Sequence, residues 1–167
     1  MPELAYLCMK NQNLSTMGKE IERKFLVTEP TYREQAVRVK SIEQGYLTGE
    51  QTTVVRVRVC DSQGFLTVKT ANVGAVRGEW EYEIPVADAR ELLGACKGRV
   101  IRKKRYIVPA ENGMCWEVDE FGGDLAPLVL AEIEMPDAGT PVALPSFVGE
   151  EVTHDPRYFN SALATQV

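Results

Sequence analysis

Hydrophobic and polar positions alternate with a period of two along much of this chain, and the polar set is charged. The clearest segments are Glu20-Ile21-Glu22-Arg23-Lys24, Arg56-Val57-Arg58, Glu81-Tyr82-Glu83, Lys103-Lys104-Arg105, Glu117-Val118-Asp119 and Glu132-Ile133-Glu134. Side chains alternate across a strand, so each charged pair shares one face while Ile21, Val57, Tyr82, Val118 and Ile133 take the other. The wider pattern predicts strands at about 19–27, 38–48, 52–61, 64–70, 77–85, 99–109, 114–120 and 128–135. Short helices are expected near 30–36, 86–96 and 155–164, the second opening at Asp88 and stopped by Gly94 or Gly98. Turns fall at Asp61-Ser62-Gln63-Gly64, Glu111-Asn112-Gly113 and Gly122-Gly123, with Pro127 before the last strand. The fold class is therefore mainly β (α+β). Eight antiparallel strands suit a barrel, where closure removes exposed edges and leaves room for a ligand.

Which face lies inside follows from the charges. An ordinary antiparallel sheet leaves mixed polar residues wet, but here the pairs sort by sign: acidic in four segments and basic in two. Lys24 closes the first segment, and Lys69 ends Gly64-Phe65-Leu66-Thr67-Val68-Lys69. Like charges side by side repel, so a merely solvated face would do better with mixed signs. A hydrated lining for a multivalent anion and its metal ions accounts for the segregation.

Composition fits one compact domain of 167 residues with 44% hydrophobic content, expected over 18–167. Residues 1–17 lack strand alternation and are expected to form a flexible extension, with Met17-Gly18 an alternative start. No apolar run approaches the roughly 20 residues of a membrane span, and Lys10 follows rather than precedes the short apolar stretch, unlike a secretory signal. A cytoplasmic protein without a membrane partner is expected. Cys8, Cys60, Cys96 and Cys115 lack CxxC spacing and read as thiols in a reducing compartment. His154 is the single histidine, which argues against a histidine-ligated metal or a Ser-His-Asp triad. The net charge of −5 argues against general nucleic-acid binding. In the basic run from Lys97 to Arg105, Arg102 and Lys104 are expected to be wet, with Lys103 and Arg105 functional.

The ordered set of these segments resembles the CYTH superfamily of triphosphate tunnel metalloenzymes. Glu20-Ile21-Glu22-Arg23-Lys24-Phe25-Leu26 carries the ExExK signature, followed by Gly45-Tyr46-Leu47, Arg56-x-Arg58, the stretch to Lys69, Glu81-x-Glu83 and Lys103-x-Arg105. Glu117-Val118-Asp119 with Phe121, Leu128 to Glu134 and a closing Tyr158-x-Asn160 complete it. The compact opening and the segment Phe121 to Glu134 are most similar to the short bacterial inorganic triphosphatases.

The resemblance implies an eight-stranded antiparallel tunnel that hydrolyses a triphosphate, most of all inorganic triphosphate, with Mg2+ or Mn2+. It implies metal ligands at Glu20, Glu22, Asp119, Glu132 and Glu134, which could instead be partners of the tunnel cations, and a triphosphate clamp of Lys24, Arg56, Arg58, Lys69, Lys103 and Arg105, for which internal salt bridging is the alternative. Lys69 and Tyr46 would orient the attacking water, Tyr46 serving equally well as a core aromatic. Glu81, Glu83 and Glu117 would hold a second metal or orient water, and the first two could instead be counterions of the arginines. Arg157 reads as a solvated helix residue rather than a cover for the tunnel mouth. The chemistry of these residue types agrees: guanidinium forks suit phosphate oxygens, and carboxylates suit hard divalent cations. Eight such carboxylates against six cations leave the lining acidic, so a polyanion should enter with metal. A class IV adenylyl cyclase, making cyclic AMP from ATP, and a noncatalytic polyphosphate- or nucleotide-binding module remain alternatives. The expected partner is a triphosphate-containing small molecule, bound by a monomer or homodimer.

Overall fold

The computed structural model describes residues 21–48, 53–71 and 78–165. Its elements are β1 (Glu22–Val27), α1 (Tyr32–Gln35), β2 (Arg38–Tyr46), β3 (Val54–Cys60), β4 (Gln63–Lys69), β5 (Glu79–Ile84), α2 (Val86–Gly94), β6 (Lys97–Pro109), β7 (Cys115–Phe121), β8 (Val129–Glu134), β9 (Val148–Glu151) and α3 (Asn160–Thr165). One sheet holds all nine strands in the order β5-β4-β3-β2-β6-β7-β8-β1-β9, each ladder antiparallel.

The expected eight strands are all present. The ninth, β9, was not foreseen, because a four-residue segment ending in two glutamates carries no alternating apolar signal. It takes the free side of β1, so among the described residues no ladder joins β1 to β5 and the sheet is open rather than a closed barrel.

The two faces of the sheet are built differently. On one, Phe25, Val108, Trp116, Val118, Ala131 and Ile133 form a core that Tyr32 of α1 and Phe147 cover. Edge-on rings fix this packing, with Phe25 and Trp116 centroids 5.5 Å apart and Tyr32 and Phe147 5.8 Å apart. Further along the same face, Val57 and Val59 of β3 pack beneath Ala89 of α2. Gly64 permits that approach: a Cβ there would lie 2.8 Å from the Ala89 Cβ. Each large side chain so buried contributes roughly 1.5–3 kcal/mol, so this outer face holds the fold. Beyond α2 the cover ends, and Tyr82, expected among the apolar set, lies on this face but is 58% exposed.

The other face is concave. Lys24 on β1 and Lys103 on β6 lie three ladders apart, about 14 Å in a flat sheet. Yet their ammonium groups reach the Tyr158 carbonyl (3.3 Å) and Asn160 Oδ1 (3.4 Å), only two residues apart in sequence. The sheet therefore curls around the C-terminal segment. Leu163 and Ala164 of α3 pack there on Tyr46, Ile101, Phe121 and Leu130, closing one end of the concavity with an apolar floor. Gly98 admits α3: its φ is +74°, and a Cβ would stand 2.4 Å from the Ala164 carbonyl oxygen.

Turn chemistry falls where expected. Asp61 (φ 52°) turns the β3–β4 hairpin and accepts the Ser41 N–H at 2.8 Å, while Asn112 (φ 57°) and Gly113 turn β6 into β7. α2 begins at Val86, ahead of Asp88, and ends at Gly94. The expectation of free thiols holds for Cys60 and Cys96 but fails at Cys115, which is disulfide-bonded. Sequence spacing carries no sign of that bond, since pairing depends on spatial approach. Cys8 and the extension 1–17 lie outside the described residues.

Candidate functional site

Strand register places the predicted charges on the concave face together. Lys24 lies opposite Glu132 and Glu22 opposite Glu134; Glu117 faces Glu132, and Arg105 faces Asp119. Across the middle of the sheet Ile42 faces Lys103, Gln44 faces Arg58 and Tyr46 faces Arg56. Thr67 then links Arg56 to Glu81, and Lys69 faces Glu79. Alternation built this face: each valine of β3 that enters the outer core turns the neighbouring arginine inward.

The β6–β7–β8–β1 half is a closed ion-pair network. Arg105 forks onto Asp119, with Nε to Oδ1 and Nη2 to Oδ2 both at 2.7 Å, and also reaches Glu117 and, at 3.3 Å, Glu132. Lys103 Nζ donates to Asp119 Oδ2 at 2.6 Å, and Lys24 Nζ meets Glu132 Oε1 at 2.9 Å. The Lys103 and Asp119 side chains are each 1% exposed, so this half is buried rather than hydrated as the sequence had suggested. Burial works against the Asp119 charge, but Arg105 and Lys103 outweigh it and hold the carboxyl below its usual range. The Glu132 carboxyl is also held well below its usual range, burial being overcome by Lys24 and Arg105. Burial wins at Lys103, whose pKa falls, whereas Asp119 and Glu117 lift Arg105 well above the guanidinium norm against burial.

The β3–β4–β5 half is different. Arg58 Nη2 donates to both Glu81 oxygens, at 3.1 and 3.0 Å, and Arg56 Nη2 donates to Thr67 Oγ1 at 3.2 Å. The Thr67 hydroxyl donates in turn to Glu81 Oε2 at 2.8 Å, and Lys69 Nζ pairs with Glu79 Oε2 at 2.9 Å. Desolvation, reinforced by Arg56 beside it, lowers the Arg58 pKa. The Nε atoms of Arg56 and Arg58 are buried without a hydrogen-bond partner. A buried donor left unsatisfied costs about 1–3 kcal/mol, and both of these lie on neighbouring arginines of β3.

Other predicted residues separate. Glu81 is engaged by the arginines, whereas Glu83 is exposed and accepts from Gln63 Nε2 at 3.4 Å. The Tyr46 ring belongs to the apolar floor, and its hydroxyl accepts from Gln44 Nε2 at 3.4 Å. Arg157 is solvated, its side chain 76% exposed and bound to Asp155. Arg102 is wet and pairs with Glu43, as expected. Glu20 lies outside the described residues. Sequence reasoning missed Glu79, which pairs with Lys69, although extending the alternation back from Glu81 would have found it. Thr67, Gln44 and Lys40, which faces Arg105, were also missed. Asn160 was noted within a motif but given no role.

The donor set suits a hard divalent cation in kind, because Glu22, Asp119, Glu132 and Glu134 present carboxylate oxygens from three neighbouring strands. Among the described residues no three potential ligands are gathered at one point. Lysine and arginine groups hold Asp119 and Glu132 instead.

The CYTH domain profile matches residues 18–160. An inorganic triphosphatase of Acetivibrio thermocellus is 49% identical over 148 residues, spanning 88% of this chain and 94% of that protein. An inorganic triphosphatase of Nitrosomonas europaea is 38% identical over 151 residues, spanning 89% and 98%. The crystal structure of the inorganic triphosphatase NE1496 aligns with a TM-score of 0.66 at 37% identity, covering 89% of this chain and 96% of that one.

Proposed function

The chain belongs to the CYTH domain family, and from that premise we propose that it hydrolyses inorganic triphosphate to pyrophosphate and phosphate, with Mg2+ or Mn2+ as the metal. The observation that carries this reading is the pair of unsatisfied guanidinium Nε–H donors of Arg56 and Arg58 on the concave wall. Guanidinium forks meet phosphate oxygens two at a time, and the succession Arg56, Arg58, Arg105 and Lys24 offers cations for several linked phosphates.

The protein's part is to position and to stabilise charge. Arg56 and Arg58 grip the chain of phosphates, and Lys69, Arg105 and Lys24 meet its remaining oxygens. Lys103, buried beneath Asp119, holds that carboxylate rather than the substrate. Lys69 orients a water for in-line attack on the terminal phosphorus, whereas Tyr46 takes the core-aromatic role that its place in the apolar floor gives it. As the new P–O bond forms, the bond to the bridging oxygen breaks and pyrophosphate leaves. Glu22, Asp119, Glu132 and Glu134, with Glu20, are the residues to hold metal. A divalent cation bound there would neutralise phosphate charge. Glu81 serves as counterion to the arginines. The same reading keeps the protein in the cytoplasm as a monomer or homodimer; among the described residues no helix is long and apolar enough to cross a membrane.

Phosphate release from triphosphate, ATP and pyrophosphate under matched Mg2+ and Mn2+ tests the proposal. Triphosphate should show the highest kcat/KM, pyrophosphate should be poor, and excess chelator should abolish turnover. Conversion of ATP to cyclic AMP would replace hydrolysis with cyclisation, and tight binding without release would reduce the protein to a binder.

A further inference from the structure

Lys103 carries a buried positive charge with two oxygen partners among the described residues: Asp119 Oδ2 at 2.6 Å and Asn160 Oδ1 at 3.4 Å. The Phe121 ring lies 5.3 Å from Nζ, and Arg105 and Glu132 act on the Lys103 charge as well. The two oxygens differ in kind. Asp119 is a carboxylate on β7, already doubly bonded by Arg105, whereas Asn160 is a neutral amide at the start of α3. Its position is fixed from both sides: Tyr158, two residues earlier, gives its carbonyl to Lys24, and Leu163, three residues later, is buried in the apolar floor.

Those contacts create a problem if Asp119 is to bind a divalent cation. A metal approaching Asp119 Oδ2 meets an ammonium already there, and the two positive charges repel in a site from which water is excluded. Lys103 must turn aside, yet a buried ammonium left without an acceptor is costly. Asn160 Oδ1 is the acceptor already beside it. We propose that Asn160 is a positioning residue that takes over the Lys103 ammonium when Asp119 turns to a divalent cation, so that the C-terminal segment sets the metal affinity of the trough. The inference rests on the reading of Asp119 as a metal ligand.

Mn2+ binding without substrate, measured by isothermal titration calorimetry, tests this on three variants alongside the unmodified chain. Asn160→Leu keeps the volume and removes the acceptor; Asn160→Asp keeps an acceptor in place; Asp119→Asn removes the ligand itself. Asn160→Leu should weaken Mn2+ binding tenfold or more, while leaving the KM for triphosphate at saturating metal within twofold. Asn160→Asp should bind Mn2+ at least as tightly as the unmodified protein, because an anionic acceptor draws Lys103 away more strongly. That rescue separates positioning from mere packing, and it stands as the test by itself if thermal melts show that Asn160→Leu does not fold. Unchanged Mn2+ affinity in Asn160→Leu, or weakened affinity in Asn160→Asp, overturns the proposal. If Asp119→Asn also binds Mn2+ normally, the metal-ligand reading falls with it; if Asp119→Asn alone is defective, only the role of Asn160 is lost.

Discussion

The two halves of the concave face hold similar side chains in opposite conditions. In the β6–β7–β8–β1 half Lys24, Lys103 and Arg105 are paired with Asp119, Glu117 and Glu132, and Lys103 and Asp119 are almost fully buried. In the β3–β4–β5 half Arg56 and Arg58 share Glu81 and keep Nε–H donors without partners. The first half has paired its charges within the protein. The second keeps two donors that the protein does not satisfy. Counting charges along the sequence hides this difference, because what matters is which oxygen each cation has already found.

The first half is most sensitive where its ion pair is deepest. Lys103→Met strips Asp119 of its lysine in a site with almost no solvent, and removing one member of such a buried pair costs about 3 kcal/mol or more. For a chain of this size that corresponds to a fall in Tm on the order of 6–12 °C, read by calorimetry. An unchanged Tm would mean that the network carries little of the stability.

Arg58→Ala should do the opposite. Glu81 retains Arg56 and Thr67, so the melting temperature should stay within a few degrees. Triphosphate binding should weaken by about 1.5–3 kcal/mol, roughly ten- to a hundredfold, as one charge-assisted contact is lost. A large loss of stability with intact binding would reverse the roles of the halves.

Much of this division lay in the sequence, but only part of it could be read there. The alternation Arg56-Val57-Arg58 fixed the face of both arginines, since Val57 had to enter the outer core, and the same logic placed Asp119 beside Val118. The register joining Arg105 to Asp119 is a long-range property of two strands, so the choice between metal ligand and salt-bridge partner was not legible. The expected hydration of the lining failed for the same reason: burial of Lys103 and Asp119 comes from the inward curl and the C-terminal segment, which no local pattern encodes. Strand β9 was invisible because it borrows its order from the edge of β1.

A smaller effect sharpens the second half. Thr67→Val removes the hydroxyl that accepts from Arg56 and donates to Glu81 while keeping the β-branched shape. Loss of this relay should cost about 1 kcal/mol of triphosphate affinity, a fivefold rise in Kd by titration calorimetry. No change would show that Glu81 alone aligns the arginines.

The smallest difference is one of order. Glu81 and Glu132 both have carboxyls held below the usual range, the first mainly by Arg58 against burial and the second mainly by Lys24 and Arg105 against burial. A lowered folded pKa gives stability that is present above about pH 4.5 and is lost as the pH falls through the folded value. Glu132 is pulled farther, so carboxyl carbon NMR on acidification should show Glu81 protonating first and Glu132 last. The reverse order would place the stronger ion pairs in the β3–β4–β5 half.

In the proposed mechanism the Nε–H groups of Arg56 and Arg58 meet phosphate oxygens. Side-chain NMR of 15N-labelled arginines observes those groups directly, with Arg56→Lys and Arg58→Lys providing the assignments. Adding triphosphate with Mg2+ should shift both Nε–H resonances and slow their exchange with water, while Arg157, solvated and far along the chain, stays unchanged. Full turnover of triphosphate with both resonances unmoved would contradict the account and put the substrate elsewhere on the protein.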